Sequence, residues 1–236
     1  MDPNIGLSVL IAAKDEELSI AEVVKSHFSV LQVIKYPINW DIGVLDDGSS
    51  DSTLTVLTEL QKQFPELKIW HNDNPSGIAN AFKQLAENAQ YEWIYITSGD
   101  GQFLAEGLEK MIQVWITNPI TTLGVRHGRF RTYSGFRSLV SWLFLVVTRL
   151  LFRLNLRDPG SVKIIKKRNA LADLLSKSTM RDAEQLARAA REDGGIQFVS
   201  IPFMSRNTGK ANGVSRSNLI ANIRDSFSIF RSNIRK

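Results

Sequence analysis

Two short segments of the sequence place carboxylates among small residues, an arrangement suited to ligand-binding loops. The first covers residues 46–51, Asp-Asp-Gly-Ser-Ser-Asp, and follows an apolar run. Carboxylates such as Asp46 and Asp47 accept hydrogen bonds from ribose hydroxyls or a nucleobase N–H, and Gly48 lets the backbone approach a planar molecule. A turn capped by Asp51 also accounts for Gly48 and Asp51, but it does not require two adjacent carboxylates at a strand end.

The second segment covers residues 98–102, Ser-Gly-Asp-Gly-Gln, and also follows an apolar run. Asp100 and Gln102 supply hard oxygen ligands, which suit Mg²⁺ or Mn²⁺ bridging the oxygens of a diphosphate. Glycine and aspartate also make ordinary turns, so this segment is weak on its own.

The elements that must position these loops alternate regularly in the first half of the chain. Apolar runs predict strands and helical spacing predicts helices, in the order strand 7–13, helix 21–34, strand 41–45, helix 52–64, strand 67–70, helix 76–89, strand 93–97. Such alternation predicts an α/β fold with a parallel, doubly wound sheet and helices on both faces. Ligands bind beyond the carboxyl ends of these strands. One site is therefore expected from four loops, residues 13–17, 46–51, 72–77 and 98–103.

The second half is less regular, with strands expected over residues 121–125, 162–165 and 197–202 and helices over 134–156, 180–192 and 217–235. On a helical wheel the first of these helices separates an apolar half from a polar, cationic half. The apolar half comprises Leu139, Val140, Leu143, Phe144, Val146, Val147, Leu150, Leu151 and Leu154. The wheel therefore predicts an amphipathic helix, which faces either a core or a membrane surface. The longest uncharged stretch of this helix is too short to span a bilayer. The last helix, also amphipathic, has the same alternatives and could instead form an oligomer interface.

Charge is concentrated in one block of the 236-residue chain, which has a net charge of +5 and no cysteine. Residues 124–168 contain eleven Lys or Arg and one acid, so a local anionic partner such as phosphate or anionic lipid is favoured over nucleic acid. A solvated surface is the alternative. The start of the chain does not resemble a secretion signal, and a cytoplasmic protein, peripheral on the inner face of a membrane, is expected.

Five segments, taken in order, resemble the family-2-type inverting glycosyltransferases of the GT-A fold, and most closely the polyprenyl-phosphate glycosyltransferases. These are residues 7–17, 44–53, 74–77, 98–102 and 157–161. The resemblance implies a single GT-A domain with a nucleotide-sugar-binding half at about residues 5–125. An acceptor-side half at 126–216 and an amphipathic helix at 217–236 complete it.

The resemblance also implies roles for individual residues. Those expected at the donor nucleotide sugar are Ala13, Asp15, Glu17, Asp46, Asp47, Gly77, Ser98, Gly99, Arg206 and Lys210. Asp100 and Gln102 would hold Mg²⁺ or Mn²⁺ on the diphosphate, and Asp100 is also a catalytic candidate. The acceptor phosphate would meet Arg126, Arg137 and Ser141.

Two departures from the family pattern affect the donor side. Ser98 replaces the first Asp of the D-x-D metal motif, so cation binding would depend on Asp100, Gln102 and the diphosphate. Ile78 stands where the family often has a basic residue.

Three functions follow from the resemblance. The first is transfer of a sugar from a nucleoside diphosphate sugar to polyprenyl phosphate at a membrane surface, which needs no base. The second is transfer to a sugar hydroxyl of a glycan, where Asp182 or Glu184 would be the catalytic base. Both residues would equally stabilise a helix N-terminus. The third is a nucleotide-sugar-binding pseudo-enzyme that recruits a partner protein or binds a membrane.

Overall fold

A computed structural model describes residues 5–127, 135–176, 178–204 and 216–234. Seven strands form one sheet: β1 Gly6–Ala13, β2 Asn39–Asp46, β3 Leu67–His71, β4 Trp93–Ser98, β5 Thr121–Arg126, β6 Lys163–Lys166 and β7 Ile196–Ile201. The described helices are α1 Ile20–Val33, α2 Thr53–Gln63, α3 Ile78–Asn88, α4 Ala105–Thr117, α5 Gly135–Phe152, α6 Lys167–Ala170, α7 Met180–Glu192 and α8 Arg216–Ile234.

The sheet has the strand order β3-β2-β1-β4-β6-β5-β7. β3, β2, β1 and β4 run parallel to one another, and β5 is parallel to β7. β6 is antiparallel to both of its neighbours. The mostly parallel α/β sheet predicted from the sequence is therefore confirmed, with β6 as the exception to the parallel direction.

Helices cover both faces of the sheet because its central strands are apolar on both faces. Alternate residues of β1 point to opposite sides. Leu7, Val9 and Ile11 join a core with α1, α2 and α4. Leu10 and Ala12 join a second core with α3, α6 and α7. This is why β1 is almost entirely apolar, with Ser8 as its one polar residue, as expected for a strand buried on both faces.

Two helices differ from the sequence prediction. No helix was predicted over residues 105–117, yet α4 is present and buries Leu108, Met111, Ile112 and Trp115. In α5 the buried stripe runs through Leu145, Thr148 and Phe152, which the helical wheel had placed outside the apolar half.

The predicted apolar half of α5 is partly exposed, as is one stripe of α8. The exposed large apolar side chains on these two helices are Leu139, Trp142, Leu143, Leu150, Ile220, Ile223, Phe227 and Phe230. The two helices pack against each other and against α7. No helix within the described part of the chain combines the length and apolar character needed to traverse a bilayer.

His27, on α1, gives the core a pH-dependent stability. Burial lowers the pKa of its imidazole from 6.5 to about 4, although a hydrogen bond to the Val23 carbonyl opposes the shift. In the unfolded chain the His27 imidazole therefore becomes protonated below pH 6.5, whereas in the folded protein it stays neutral until about pH 4. Stability is unaffected above this window and falls as the pH is lowered through it.

We expect this group to cost about 3 kcal/mol of unfolding free energy between the two ends of that window. Urea unfolding at a series of pH values will measure it, with His27→Gln as the variant that cannot titrate. The control is His127→Gln, because His127 is exposed at the surface just after β5. Parallel pH profiles for the wild type and His27→Gln would contradict the assignment.

Candidate donor site

The strand register brings the predicted loops to one edge of the sheet. Ala13 at the end of β1 lies opposite Asp46 at the end of β2, and Ala12 lies opposite Ser98 at the end of β4. Asp46 in turn faces His71 at the end of β3. These carboxyl ends and the loops that follow them are called the donor edge below.

The loops after β1 and β2 are joined by reciprocal hydrogen bonds. Asp15 Oδ1 accepts from the Ser50 backbone N–H at 2.7 Å and from the Ser50 hydroxyl at 3.0 Å. Glu17 Oε2 accepts from the Ser52 N–H at 2.9 Å, next to the start of α2. The carboxylates of Asp15 and Glu17 thus fix the shape of the donor edge while remaining exposed to solvent.

Asp46 is fully buried, and both of its carboxylate oxygens have hydrogen-bond partners within the protein. Its Oδ1 accepts from the Ser49 N–H at 3.2 Å and from the Ser49 hydroxyl, and its Oδ2 lies 2.8 Å from His71 Nδ1. Asp46 therefore shapes the turn and links β2 to β3.

The Asp47 carboxylate organises the loop that precedes α3. Its Oδ1 accepts from Asn72 Nδ2 at 2.8 Å and from the Ser76 N–H and hydroxyl at 2.8 and 2.7 Å. Its Oδ2 accepts from the Gly77 N–H at 2.9 Å, and Gly77 has a φ of 87°, which favours glycine. Burial is the largest single influence and raises the pKa of Asp47, but the hydrogen bonds together outweigh it and the pKa is lowered.

Asp100 lies just beyond β4, in the loop that begins with Ser98 and Gly99. Its Oδ1 accepts from the Ser98 hydroxyl at 2.6 Å and from the Gln102 N–H at 3.1 Å. No described residue donates to its Oδ2. Gly99 is packed tightly, because a Cβ there would lie 2.9 Å from the Ile20 side chain, and its N–H donates to the Ala12 carbonyl.

These residues offer few ligands to a divalent cation. Within the described ranges, no three His, Asp or Glu side chains are grouped to hold a metal ion. Asp100 Oδ2 and the Gln102 side-chain oxygen are the oxygens that fit the role, while Gln102 Nε2 donates to the Met204 carbonyl at 3.2 Å. Ser98 uses its hydroxyl to bind Asp100. The donor set fits a cation that arrives with a diphosphate and takes most of its ligands from it.

A cavity of about 300 Å³ adjoins this edge between α3 and α7, and it is called the α3–α7 cavity below. Ser98 and Phe103 line it, and so does Asp182, whose carboxylate contacts Lys163 Nζ. Glu184 does not line it. Its carboxylate accepts from the Leu175 and Ser176 N–H groups at 3.0 and 2.9 Å, so it holds the loop before α7.

Of the residues expected at the acceptor phosphate, the side chains of Arg126 and Ser141 are described. Arg126 forms a two-bond fork with buried Asp158, at 2.8 and 2.7 Å, and packs over the rings of Phe103 and Phe203. Ser141 lies within α5. The side chain of Arg137 and the whole of Arg206 and Lys210 lie outside the described residues.

Three residues at or near the site were not predicted from the sequence: His71, Lys163 and Arg181. His71 is the last residue of β3 and directly precedes the predicted loop at residues 72–77, so its position at a strand end was the available signal. For Lys163 and Arg181 the only signal in the sequence was a position in or near the basic part of the chain. That position does not show whether a side chain points toward the site.

The sheet with helices on both faces, and the acidic loops at its carboxyl ends, define an α/β protein of the nucleotide-binding kind. Residues 8–168 match the family Glycosyl transferase family 2, which is more than half of the sequence, and the chain therefore belongs to that family.

Similar solved structures include two complexes of glucosyl-3-phosphoglycerate synthase from Mycobacterium tuberculosis. The complex with UDP has a TM-score of 0.66 at 14% identity, covering 94% of this chain and 80% of that chain. The complex with Mn²⁺, UDP-glucose and phosphoglyceric acid has a TM-score of 0.64 at 15% identity, covering 97% and 79%. The likeness confirms the predicted GT-A fold.

Curated relatives share shorter stretches. A β-monoglucosyldiacylglycerol synthase from Trichormus variabilis is 28% identical over 123 residues, which is 51% of this chain and 25% of the relative. A dolichol-phosphate mannosyltransferase from Pyrococcus furiosus is 24% identical over 147 residues, which is 61% of this chain and 40% of the relative. The matched stretches thus cover less than half the length of these relatives.

Proposed function

We propose that this protein transfers a sugar from a nucleoside diphosphate sugar to a polyprenyl phosphate at a membrane surface, with inversion at the sugar carbon. The observation that carries the proposal is the position of Asp47, Asp100 and the α3–α7 cavity along one edge of the sheet. A donor bound across the edge would place its diphosphate near Asp100 and its sugar toward the cavity.

We propose that the hydrogen-bonded loops at the donor edge form a preformed pocket for the nucleotide sugar. Asp47 holds the Ser76–Gly77 loop, and Asp15 and Glu17 hold the two loops nearest β1 and β2. Ala13, Gly77 and Gly99 supply backbone positions that a flat base or a diphosphate could approach. Arg206 and Lys210 remain proposed partners of the diphosphate.

We propose a divalent cation as the cofactor, held by Asp100 and Gln102 together with the diphosphate. When bound, it supplies positive charge that stabilises the leaving diphosphate. Two of the structural neighbours carry Mn²⁺ with UDP-glucose or Mg²⁺ with UDP, which supports the class of cofactor.

A polyprenyl phosphate acceptor is supported by the basic block and by the likeness to the dolichol-phosphate mannosyltransferase. A phosphomonoester is already anionic near neutral pH, so its attack needs cationic positioning and no base. Arg137 and Ser141 remain proposed contacts, while the fork of Arg126 with Asp158 supports a role in shaping the acceptor side.

Transfer to a hydroxyl is the second candidate, and the position of Asp182 on the cavity favours it. The β-monoglucosyldiacylglycerol synthase is a relative whose product carries a sugar on a diacylglycerol, a hydroxyl acceptor. Asp182 would then remove the hydroxyl proton. A pseudo-enzyme is the third candidate, supported by the departure at Ser98 from the D-x-D metal motif.

The experiment that tests the proposal combines binding and transfer. A thermal-shift panel of UDP-, GDP- and dTDP-sugars, with and without Mn²⁺, selects the donor. Radiolabel from that donor is then followed into a butanol-extractable, mild-acid-labile product with polyprenyl phosphate. We expect transfer with one donor class. Donor binding without transfer to any phosphate or hydroxyl acceptor would instead identify a pseudo-enzyme.

The membrane surface is a separate part of the proposal. Exposed apolar residues on α5 and α8 lie beside exposed cations such as Arg153 and Arg224, a combination that suits anionic lipid. Each large apolar side chain that inserts contributes about 1.5–3 kcal/mol, and each cation near the surface about 1 kcal/mol.

We expect the protein to float with phosphatidylglycerol vesicles and to float less with phosphatidylcholine vesicles. The double variant Trp142→Ser/Phe227→Ser should lower the partition coefficient by about tenfold or more. Val33→Ser is the control, because Val33 is also apolar and exposed but lies on α1. Wild type that stays at the bottom with anionic vesicles would refute membrane binding.

A further inference from the structure

The lining of the α3–α7 cavity has a marked excess of positive charge. Among the described residues that line it, three are cations, Lys83, Lys163 and Arg181, and one is a carboxylate, Asp182. Lys163 and Asp182 contact each other and neutralise one another. Lys83 and Arg181 therefore leave two positive charges facing a space that adjoins the end of β4.

Arg181 is the cation best placed to meet an anion. Its side chain makes no hydrogen bond or ion pair with any residue that the structure describes. Lys83 has one weak partner, Glu87, with 3.8 Å between Nζ and Oε1, and both side chains are about half exposed. A neutral sugar alone would leave these charges unpaired, whereas a phosphate would pair with both.

The rest of the wall is apolar. Phe82 and Ile78 from α3, Ile96 from β4 and Ile165 from β6 line the same space. Ile78 is 60% exposed and lies at the start of α3, so the apolar lining reaches the surface. A charged head followed by an apolar chain matches this distribution better than a glycan does.

We infer that the α3–α7 cavity receives the phosphomonoester head of the acceptor, with Arg181 and Lys83 on its oxygens. Asp182 acts there as the counter-ion of Lys163 and not as a base. The inference rests on the proposed transfer and assigns the anion to different residues from those implied by the family resemblance. Arg126 is already satisfied by the fork with Asp158.

The step that these residues support is balanced without proton transfer. An acceptor phosphate oxygen, deprotonated near neutral pH, forms a bond to the anomeric carbon of the donor sugar. The bond from that carbon to the diphosphate oxygen breaks, and its electron pair leaves with the diphosphate. Arg181 and Lys83 reduce the repulsion between the incoming phosphate and the donor, which is otherwise the main obstacle to approach.

The test compares four variants of the full chain, three at the cavity and one control, with UDP-glucose as donor or with the nucleotide sugar that the thermal-shift panel selects. Farnesyl phosphate and glycerol 3-phosphate are the acceptors, one a lipid and one soluble. Arg181→Gln should raise the acceptor KM by about tenfold or more, as expected for one charge-assisted contact, and leave the Kd for the nucleotide unchanged. Arg188→Gln, on the same helix and paired with Glu192, is the control.

The kcat of Asp182→Asn distinguishes transfer to a phosphate, where Asp182 is a counter-ion, from transfer to a hydroxyl, where Asp182 is the base. As a counter-ion, Asp182 can be replaced with kcat kept within about threefold and the acceptor KM equal or lower, because a like charge is removed. As a base, its loss lowers kcat by about 10²–10⁴-fold. Since Lys163 is left unpaired, the double variant Lys163→Met/Asp182→Leu keeps the test valid if the single variant unfolds. Under the counter-ion role, this double variant also retains turnover.

Several outcomes overturn the inference. One is a loss of turnover in Asp182→Asn at unchanged stability, and another is an effect of Arg181→Gln on nucleotide affinity alone, which would assign the cavity to the donor sugar. Failure of the proposed function is distinct, since wild type would then transfer to neither acceptor. In that case calorimetry with farnesyl phosphate decides, because wild type must bind it and Arg181→Gln must bind it at least about tenfold more weakly. Use of glycerol 3-phosphate alone would identify a soluble source of the phosphate.

Discussion

Replacing Asp100 by Asn is expected to lower kcat/KM for sugar transfer by about 10²–10³-fold, the effect of removing one electrostatic contact to the developing charge. Asn has the same shape, and its carbonyl oxygen can still accept from the Ser98 hydroxyl and the Gln102 N–H, which now contact Oδ1. What disappears is the negative charge on Oδ2, the carboxylate oxygen that fits a cation. Steady-state kinetics at saturating Mn²⁺ will measure the change.

The control for this variant is Asp73→Asn. Asp73 follows β3 and its side chain is 98% exposed, with one distant contact to His71 at 3.9 Å. It should transfer sugar at the wild-type rate. An Asp100→Asn protein that retains wild-type kcat/KM would exclude Asp100 from both catalysis and metal binding.

Ser98→Asp tests the same site in the opposite direction. A second carboxylate would restore the D-x-D pattern beside Asp100, and Mn²⁺ affinity in the presence of UDP should rise by about tenfold, within the range that one metal-site interaction contributes. Titration calorimetry of Mn²⁺ into the protein–UDP mixture measures this without relying on turnover. Unchanged affinity would mean that residue 98 does not approach the cation.

Much of the fold was readable because the central strands carry a strong local pattern. β1 is apolar at every position from Val9 to Ala13, as a two-sided core requires, and the alternation of strands and helices up to β4 determines the parallel half of the sheet. The direction of β6 was not readable, because it depends on the path of the chain between α5 and the sheet and not on the residues of the strand.

The two helices that differ from the sequence prediction do so for different reasons. In α4 the spacing of Leu108, Met111, Ile112 and Trp115 is that of an amphipathic helix, so the signal was present in the sequence. In α5 most positions are apolar, and a wheel alone does not show which side meets the sheet. Packing buries Leu145 and Phe152 and leaves Trp142 at the surface.

The site was also only partly predictable from the sequence. The acidic loops meet at one edge because the strands run parallel, and the alternation of strands and helices predicts that direction. What each carboxylate bonds to depends on partners far away in the chain. Asp47 is hydrogen-bonded to Asn72 and Ser76, and Lys163 is bonded to Asp182. Neither contact can be predicted from the spacing of residues along the sequence.

Replacing Asp47 by Asn is expected to weaken nucleotide binding by about 100-fold. The carboxylate accepts four hydrogen bonds, three on Oδ1 and one on Oδ2. An amide turns one of the two oxygens into an N–H₂ group, which would face either the Gly77 N–H or the donors from Asn72 and Ser76. Two donors then face each other, and each lost bond to a charged acceptor removes about 1.5–3 kcal/mol. The loop before α3 should therefore leave its position.

Isothermal titration with UDP measures the affinity, and thermal unfolding of the same samples measures stability. The control is Asp193→Asn, because Asp193 is also a buried carboxylate, with partners Arg168 and Asn169, but lies next to Lys166 beside the opposite end of β4. Both variants should lose stability, and only Asp47→Asn should lose nucleotide affinity. Equal affinity losses in the two variants would show that Asp47 acts only through overall stability.

The hydrogen bonds lower the pKa of Asp47, so its contribution to the stability of the loop is present above the ordinary pKa of an aspartate and fades only as the pH falls below it. We therefore also expect wild type to keep its UDP affinity at pH 5.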